Sequence, residues 1–318
     1  MGDNPGISVI IPCYNAGEHI EECVNSILQQ GFNDAPYEII IVDDGSTDEN
    51  THAILDRFED EYSDQITVLS HDINIGQSAA RNNAIDHAQY DYIMPIDADD
   101  ALSTQWKQTS DIKGYMQEAY QRISQNEDLA IVYCNAELTG AKEEFWKLPE
   151  YSEQGILVNN MIPVYGMYRK SEAEEIGGYN ENLQGWEDWN FWIGLLNNRI
   201  KQDKPAEVER IDTPHYLYTQ HDNGSNVNAA HPHSLGNFYR TNYSEFPEIY
   251  AKHISTILPQ MIINGIYDKV PDSVKVTGFF KQFVNAVRGK EANPAVEINN
   301  VVNAETTYEY EDHDSTPE

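Results

Sequence analysis

Three carboxylates follow an apolar run in the stretch Tyr92-Ile93-Met94-Pro95-Ile96-Asp97-Ala98-Asp99-Asp100. Acids this close together repel one another, so a fold that gathers them at a strand end needs a cation there. Mg²⁺ and Mn²⁺ prefer hard oxygen ligands, which makes Asp97 and Asp99 candidates to hold a divalent metal. The same spacing also suits a solvated acidic turn that caps the next helix. Two further acid pairs stand in comparable places. Asp43-Asp44 closes the run Glu38-Ile39-Ile40-Ile41-Val42, and Glu187-Asp188 follows Gly185-Trp186 at the start of a stretch with helical spacing. Acids are also enriched at helix starts, where each is favoured by a few tenths of a kcal/mol.

The elements that must position these acids can be read from apolar periodicity. Short β-branched runs at Ile7–Ile11, Glu38–Val42, Ile66–Leu69 and Tyr92–Ile96 have the length and bounding turns of buried strands. Between them, Glu18–Gln30, the segment carrying Ala53, Ile54, Leu55 and Phe58, and Ala79–Ala88 have helical spacing. The resulting β-α-β-α-β-α-β order over about 100 residues is the pattern of an α/β fold with a mostly parallel, doubly wound sheet. Right-handed crossovers bring the four strand ends to one edge, where open α/β sheets bind their ligands. Pro12-Cys13-Tyr14-Asn15, Asp43-Asp44, Asn74-Ile75-Gly76 and Asp97-Ala98-Asp99 should therefore converge. Beyond Asp100 the pattern predicts a helix to about Gln125, a strand at Leu129–Tyr133 and an irregular region over 137–160. A strand-like run at 165–170 feeds a short helix that Gly177-Gly178 ends. A helix then carries Trp189, Trp192, Ile193 and Leu196 on one face, and two short strands follow at Val208–Ile211 and His215–Thr219.

Composition narrows the possible functions. The chain has 318 residues, with 20 Lys and Arg against 53 Asp and Glu, a net charge of −33. Such a surface excludes nucleic acid or an anionic membrane as the main partner, and it resembles that of proteins adapted to high salt. An anionic ligand must then be held locally, by a metal, backbone N–H groups and a few arginines. The three cysteines, Cys13, Cys23 and Cys134, make neither a disulfide framework nor a zinc cluster. There is no signal-like N-terminal segment and no apolar stretch approaching the roughly 18 residues of a membrane span, so a soluble, cytoplasmic protein is expected. No Gly-x-Gly-x-x-Gly follows the first strand and no Walker-type Gly-Lys-Ser/Thr is present.

Taken in order, Ser8-Val9-Ile10-Ile11-Pro12-Cys13-Tyr14-Asn15, Val42-Asp43-Asp44-Gly45-Ser46-Thr47-Asp48, Asn74-Ile75-Gly76 with Ala80-Arg81-Asn82, Asp97-Ala98-Asp99-Asp100 and Gly185-Trp186-Glu187-Asp188 form a specific set. This set resembles the family-2 glycosyltransferases of the GT-A fold over roughly residues 6 to 222. The resemblance implies transfer of a sugar from a nucleotide-diphosphate donor, with inversion at the anomeric carbon. It implies that Pro12 and Tyr14 line the nucleoside pocket, that Asp44 accepts a hydrogen bond from the base, and that Arg81 lies near the nucleotide. It casts Asp97 near the ribose and the metal, Asp99 as the direct ligand of Mn²⁺ or Mg²⁺, and Asp100 as a supporting residue. Asp188 would be the general base, Trp186 an acceptor-side stacking surface, and His221 a further metal or phosphate contact. The Gln-x-x-Arg-Trp element of processive synthases is missing, which favours addition of a single sugar.

The expected organisation is a transferase domain over 1–225, a helical C-terminal extension over 226–290 and a poorly ordered acidic tail over 291–318. Expected partners are a nucleotide-sugar donor, a UDP-sugar by the resemblance, and a glycan, lipid-linked or other hydroxyl acceptor. Two other readings use the same sheet. One is a catalytically silent sugar-nucleotide-binding or scaffold protein, and the other is a nucleotidyltransferase. The second would want a basic, Gly-rich loop where this chain has Pro12-Cys13-Tyr14-Asn15-Ala16-Gly17-Glu18.

Overall fold

The computed structural model describes residues 4–105, 113–183, 185–221, 238, 241–242 and 244–253. Its first hundred residues follow the order read from the sequence. Strand β1 (Ile7–Cys13) leads to helix α1 (His19–Leu28), β2 (Tyr37–Asp43) to α2 (Glu49–Glu61), β3 (Ile66–Ser70) to α3 (Gln77–His87), and β4 (Tyr92–Pro95) follows. All four strands run parallel in the spatial order β3-β2-β1-β4. Polar and apolar residues do not alternate along β1 and β2 because both faces of the sheet are covered. Val9, Ile10 and Ile11 on β1, and Ile39, Ile40 and Ile41 on β2, are all at most 1% exposed. Helix α1 turns Ile20, Cys23, Val24 and Ile27 onto this sheet. Cys13, Cys23 and Cys134 are buried free thiols that pack as small core residues.

The second half departs from a purely parallel sheet. After Asp100 the chain forms a two-residue strand, β5 (Ala101–Leu102); of the helix expected from Asp100 onward, α4 (Tyr115–Gln125) is described, and residues 106–112 lie outside the described residues. Strand β6 (Leu129–Gly140) runs seven residues past its expected end, followed by β7 (Glu144–Trp146) and β8 (Met167–Arg169). Helices α5 (Lys170–Ile176) and α6 (Glu187–Lys201) lead to the last strand, β9 (Glu207–Gln220). The nine-stranded sheet continues from β4 through β8, β6 and β9 to β5, with β7 paired to β6. Strand β8 is antiparallel to both neighbours, so the sheet is mixed beyond β4.

The two short strands expected at 208–211 and 215–219 are one bent strand. Its register against β6 shifts around Cys134, Asn135 and Ala136, which face Ile211, Pro214 and Tyr216. Pro214 cannot donate to the ladder, and a bulge is where a strand tolerates it.

Helix α6 is fixed by its buried face and by one charged residue. Trp189, Trp192, Ile193 and Leu196 are at most 3% exposed. Arg199, also buried, makes a two-pronged pair with Glu172 of α5 at 2.9 and 2.6 Å. It also donates to the carbonyls of Asp128 and Leu129. The guanidinium thus has a partner on each side, as a buried charge requires. Residues 247–253 are helical, while most of 226–290 and all of 291–318 lie outside the described residues.

Candidate active site

The carboxyl ends of β1, β2 and β4 open on a cleft of about 1060 Å³. Pro12, Tyr14, Asp44, Arg81, Asp97, Asp99, Asp188 and His221, all singled out from the sequence, line this cleft. The register explains the convergence on its first side: Cys13 of β1 lies beside Asp43 of β2, which lies beside Ser70 of β3.

Tyr14 is 49% exposed at the cleft edge, so it is free to stack on a planar ligand and is not core packing. Asn15 ties its loop to the next. Its side-chain oxygen accepts from the N–H groups of Thr47 at 2.7 Å and Asp48 at 3.1 Å. Asp44 does not cap α2, since Asp48 does so by accepting from Asn50 and Thr51. The Asp44 carboxylate instead accepts from the backbone N–H of Ile75 at 3.0 Å and of Gly76 at 2.8 Å, and contacts His71 Nδ1 at 2.7 Å. Asn83 meets the other ring nitrogen of His71 at 2.8 Å. Asp44 therefore braces the 74–76 loop against the end of β2 while facing the cleft. No motif in the sequence marked His71 or Asn83, because their role depends on a meeting between α3 and the end of β3. Gly45 is required by the same close approach. At φ +71°, a Cβ there would lie 2.5 Å from the backbone of Ile73.

Arg81 lies 1% exposed at the centre of the site. It donates to Asp97 Oδ1 at 2.7 Å and to Glu187 Oε1 at 3.0 Å, and its guanidinium carbon stands 5.4 Å from the Tyr179 ring centroid. Burial works against its charge, but Asp97 and Glu187 more than reverse this and raise its pKa. An arginine that could have been an exposed helix residue is thus the cation joining the acidic turn after β4 to the start of α6. Burial pushes the Asp97 carboxyl above its usual range while Arg81 opposes the shift.

The three acids of the turn have separate surroundings. Asp99 is the most open, with its side chain 42% exposed, and its Oδ2 lies 2.7 Å from His221 Nε2. Asp100 is 2% exposed and accepts from the Tyr216 hydroxyl and the Thr219 N–H, both at 2.8 Å. It ties the turn to the end of β9, the strand that delivers His221. Among the described residues no group of three or more His, Cys, Asp or Glu is arranged as a complete metal site. The donor set still fits a divalent cation of the Mg²⁺ type, which is bound by one or two carboxylates together with substrate phosphates and water.

On the other side, Asp188 begins α6 after Trp186, whose backbone is left-handed at φ 62°. A bulky residue rarely adopts this conformation, and such strain concentrates at functional sites. The Asp188 carboxylate accepts from the Trp189 N–H at 2.8 Å and from Asn160 Nδ2 at 2.9 Å. Burial, and then the neighbouring Glu187, push its pKa up to about 7, against the hydrogen bonds from Asn160 and Trp189. A carboxylate poised near neutrality beside an open cleft can take a proton from a hydroxyl at working pH. Asn160 lies in the stretch that looked irregular in the sequence, and nothing there marked it. Replacing Asn160 with alanine removes a bond to the ionised carboxylate. The acid limb of the pH–rate profile should then move to higher pH, and an unmoved limb would show that Asn160 does not set the acidity of Asp188.

The chain is similar to known proteins in sequence and in fold. Residues 8–110 match the family model for Glycosyl transferase family 2. The minor teichoic acid biosynthesis protein GgaA of Bacillus subtilis (strain 168) is 29% identical over 213 residues, covering 63% of this chain and 45% of that protein. The chain spans less than half the length of the curated relatives it matches. Among solved structures, S. aureus TarS 1–349 in complex with UDP-GlcNAc has a TM-score of 0.62 at 18% identity, covering 94% of this chain and 92% of that one. The mannosyltransferase PcManGT from Pyrobaculum calidifontis, in complex with GDP-Man and Mn²⁺, has a TM-score of 0.56 at 15% identity, covering 95% of this chain and 80% of that one. These likenesses show the GT-A fold. No helix among the described residues is long and apolar enough to cross a membrane.

Proposed function

We propose, from the match of residues 8–110 to the glycosyl transferase family 2 model, that this chain transfers a single sugar from a UDP-sugar to a hydroxyl acceptor with inversion. The observation that carries this reading is the meeting, in one cleft, of Asp97 and Asp99, the buried Arg81 and a near-neutral Asp188. Tyr14 and Pro12 form the face on which the base would lie, and Asp44, held by the 74–76 loop, the edge to which a base N–H would donate. The divalent metal, Mn²⁺ or Mg²⁺, would be held by Asp99 with Asp97 and His221 beside it. When bound, it would neutralise the charge that develops on the leaving diphosphate.

The chain's own residues supply the remaining chemistry. Arg81 fixes Asp97 and Glu187 in one frame and so sets the distance between the nucleotide side and α6. Asp188, oriented by Asn160 and the Trp189 amide, takes the hydroxyl proton of the acceptor as that oxygen bonds to the anomeric carbon. The bond from this carbon to the diphosphate oxygen breaks on the opposite face, which inverts the configuration. The transferase domain would span 1–225, followed by a C-terminal extension and an acidic tail. Three buried free thiols accord with a reducing, cytoplasmic setting.

A thermal-shift screen of nucleotide sugars with and without Mn²⁺, followed by a transfer assay, tests the reading. A donor present at about a hundred times its Kd stabilises a protein by about 2.7 kcal/mol, enough to see in Tm. One UDP-sugar should shift Tm, and Mn²⁺ should enlarge the shift. Asp99→Asn should lose the Mn²⁺-dependent part. Donor binding with no transfer to any hydroxyl acceptor would favour the silent sugar-nucleotide-binding protein instead.

A further inference from the structure

Trp146 has no part in the core and none in the nucleotide side of the cleft, yet it lines the cleft. It ends β7, an edge strand held only by β6, where it sits opposite Ala136 while Phe145 sits opposite Glu137. Successive strand residues face opposite ways. Trp146 turns to the cleft and is 37% exposed, while Phe145 is 51% exposed. The ring of Trp146 is braced edge-on by Tyr218 of β9, with centroids 5.5 Å apart and planes at 71°. Holding a large aromatic half out of the core, at a fixed angle over a polar cleft, leaves its apolar surface in water without return unless a ligand covers it. Asn160, Tyr165 and Asp188 line the cleft with it, on elements that follow β4.

Charge limits what can lie there. Among the described residues the lining includes seven carboxylates and one guanidinium, that of Arg81, and no lysine. Arg81 is buried and already paired with Asp97 and Glu187. The two lysines of the same hairpin, Lys142 and Lys147, do not line the cleft, and Lys142 pairs with Glu144. A metal at Asp99 would be occupied by the donor's diphosphate. An acceptor that brought its own phosphate next to Asp188 would meet Asp188 and Glu187 and, among the described lining residues, no lysine and no unpaired arginine.

Resting on the glycosyltransferase reading, we propose that the acceptor is an uncharged carbohydrate whose sugar ring stacks on Trp146, which sets acceptor specificity. The apolar face of a pyranose covers the indole, and a ring hydroxyl then lies toward Asp188. Trp146 is a binding residue and moves no proton.

The test uses the full chain and its UDP-sugar, with three acceptors: a neutral oligosaccharide, a neutral octyl glycoside and a polyol-phosphate oligomer. Transfer to either neutral acceptor is expected, and the preferred one tells whether the sugar comes from a free glycan or a lipid-borne one. Trp146→Ala should raise the acceptor KM roughly ten-fold, the loss of one aromatic stacking contact. Its kcat and its affinity for UDP should change little, and Trp146→Phe should recover much of the KM. Phe145→Ala, on the opposite face, should leave the acceptor KM within about two-fold, as surface changes away from a site do. Preference for the polyol phosphate, or an unchanged KM in Trp146→Ala, would overturn the inference while leaving the glycosyltransferase reading intact. Failure of every UDP-sugar to bind the wild-type protein would instead remove that reading.

Discussion

Asp188→Asn is expected to lower the transfer rate by a factor of about 10³ or more while leaving the Kd for the donor nucleotide nearly unchanged. General-base assistance alone is worth about 10²–10⁴ in rate, and an amide cannot supply it. The shape of the side chain survives the change. An amide oxygen can still accept from the Trp189 N–H, and Asn160 can rotate to receive the new donor on its Oδ1, a buried atom that has no partner in the native site. Turnover within a few-fold of wild type would remove Asp188 from the mechanism. A matching loss of donor affinity would recast it as a binding group.

The same variant should be more stable than the native protein, and the pH dependence gives the sign. The Asp188 pKa stands near 7 in the fold against an ordinary 3.8, so between those values the folded state holds the proton that the unfolded state has released. Stability contributed at this position therefore falls as pH rises from about 4 to about 7, and stays low above that. Asparagine carries no such penalty. The gain should be absent at pH 4, grow toward pH 7 and then level off, at about 2–4 °C in Tm for each kcal/mol released. A fold that keeps a carboxylate where an amide would be more stable is trading stability for chemistry.

Arg81→Ala should produce the largest loss of stability of any single change at the site. It strands Glu187, 7% exposed, and Asp97, 29% exposed, each of which has the guanidinium as its ion-pair partner. Breaking a buried pair from one side costs about 3–5 kcal/mol, and solvent at Asp97 places the expected value toward the lower end. That corresponds to a fall on the order of 10 °C in Tm for a domain of this size. Arg81→Lys separates charge from geometry. A lysine keeps the positive charge but lacks the planar fork that reaches two carboxylates at once. It should retain more stability than the alanine variant and still show weakened donor binding. If Arg81→Ala melts with the wild type, the ion cluster is not what joins the two sides of the cleft.

The nucleotide side was legible in the sequence because that side is built from local signals. Each of β1 to β4 is a short β-branched run with a turn at its end, and parallel connection then dictates which ends meet. The acids after β2 and β4 could be named from their places in such elements, whereas Tyr14 and Asp188 were named from the family resemblance. The other side depends on long-range pairing. Strand β6 runs on through Asn135 to Gly140 because β9 pairs with it, and the run Asn135–Gly140 has no apolar pattern of its own. Asn160 and Trp146 sit in the stretch between β6 and β8, where no periodicity marks them. The surroundings of Asp44 and Arg81 were hidden for a related reason. Burial and partners come from elements distant in sequence, such as His71 for one and Glu187 for the other.

The ion cluster around Arg81 also constrains how such a protein can be recombined. The half proposed to hold the nucleotide ends near residue 98, and the half proposed to hold the acceptor is formed by the described elements that pack on it afterward. The two exchange one guanidinium bond to Glu187, and the Asp100 carboxylate receives the Thr219 amide and the Tyr216 hydroxyl. A chimera that grafts a foreign acceptor half onto residues 7–98 must bring its own acid to the place of Glu187. It must also bring an acid for the turn and a strand end that donates to it. A graft lacking the first would leave Arg81 with Asp97 as its one remaining acid, and a graft lacking the second would leave the strand-end donors without their acceptor, whatever the quality of the two halves taken separately.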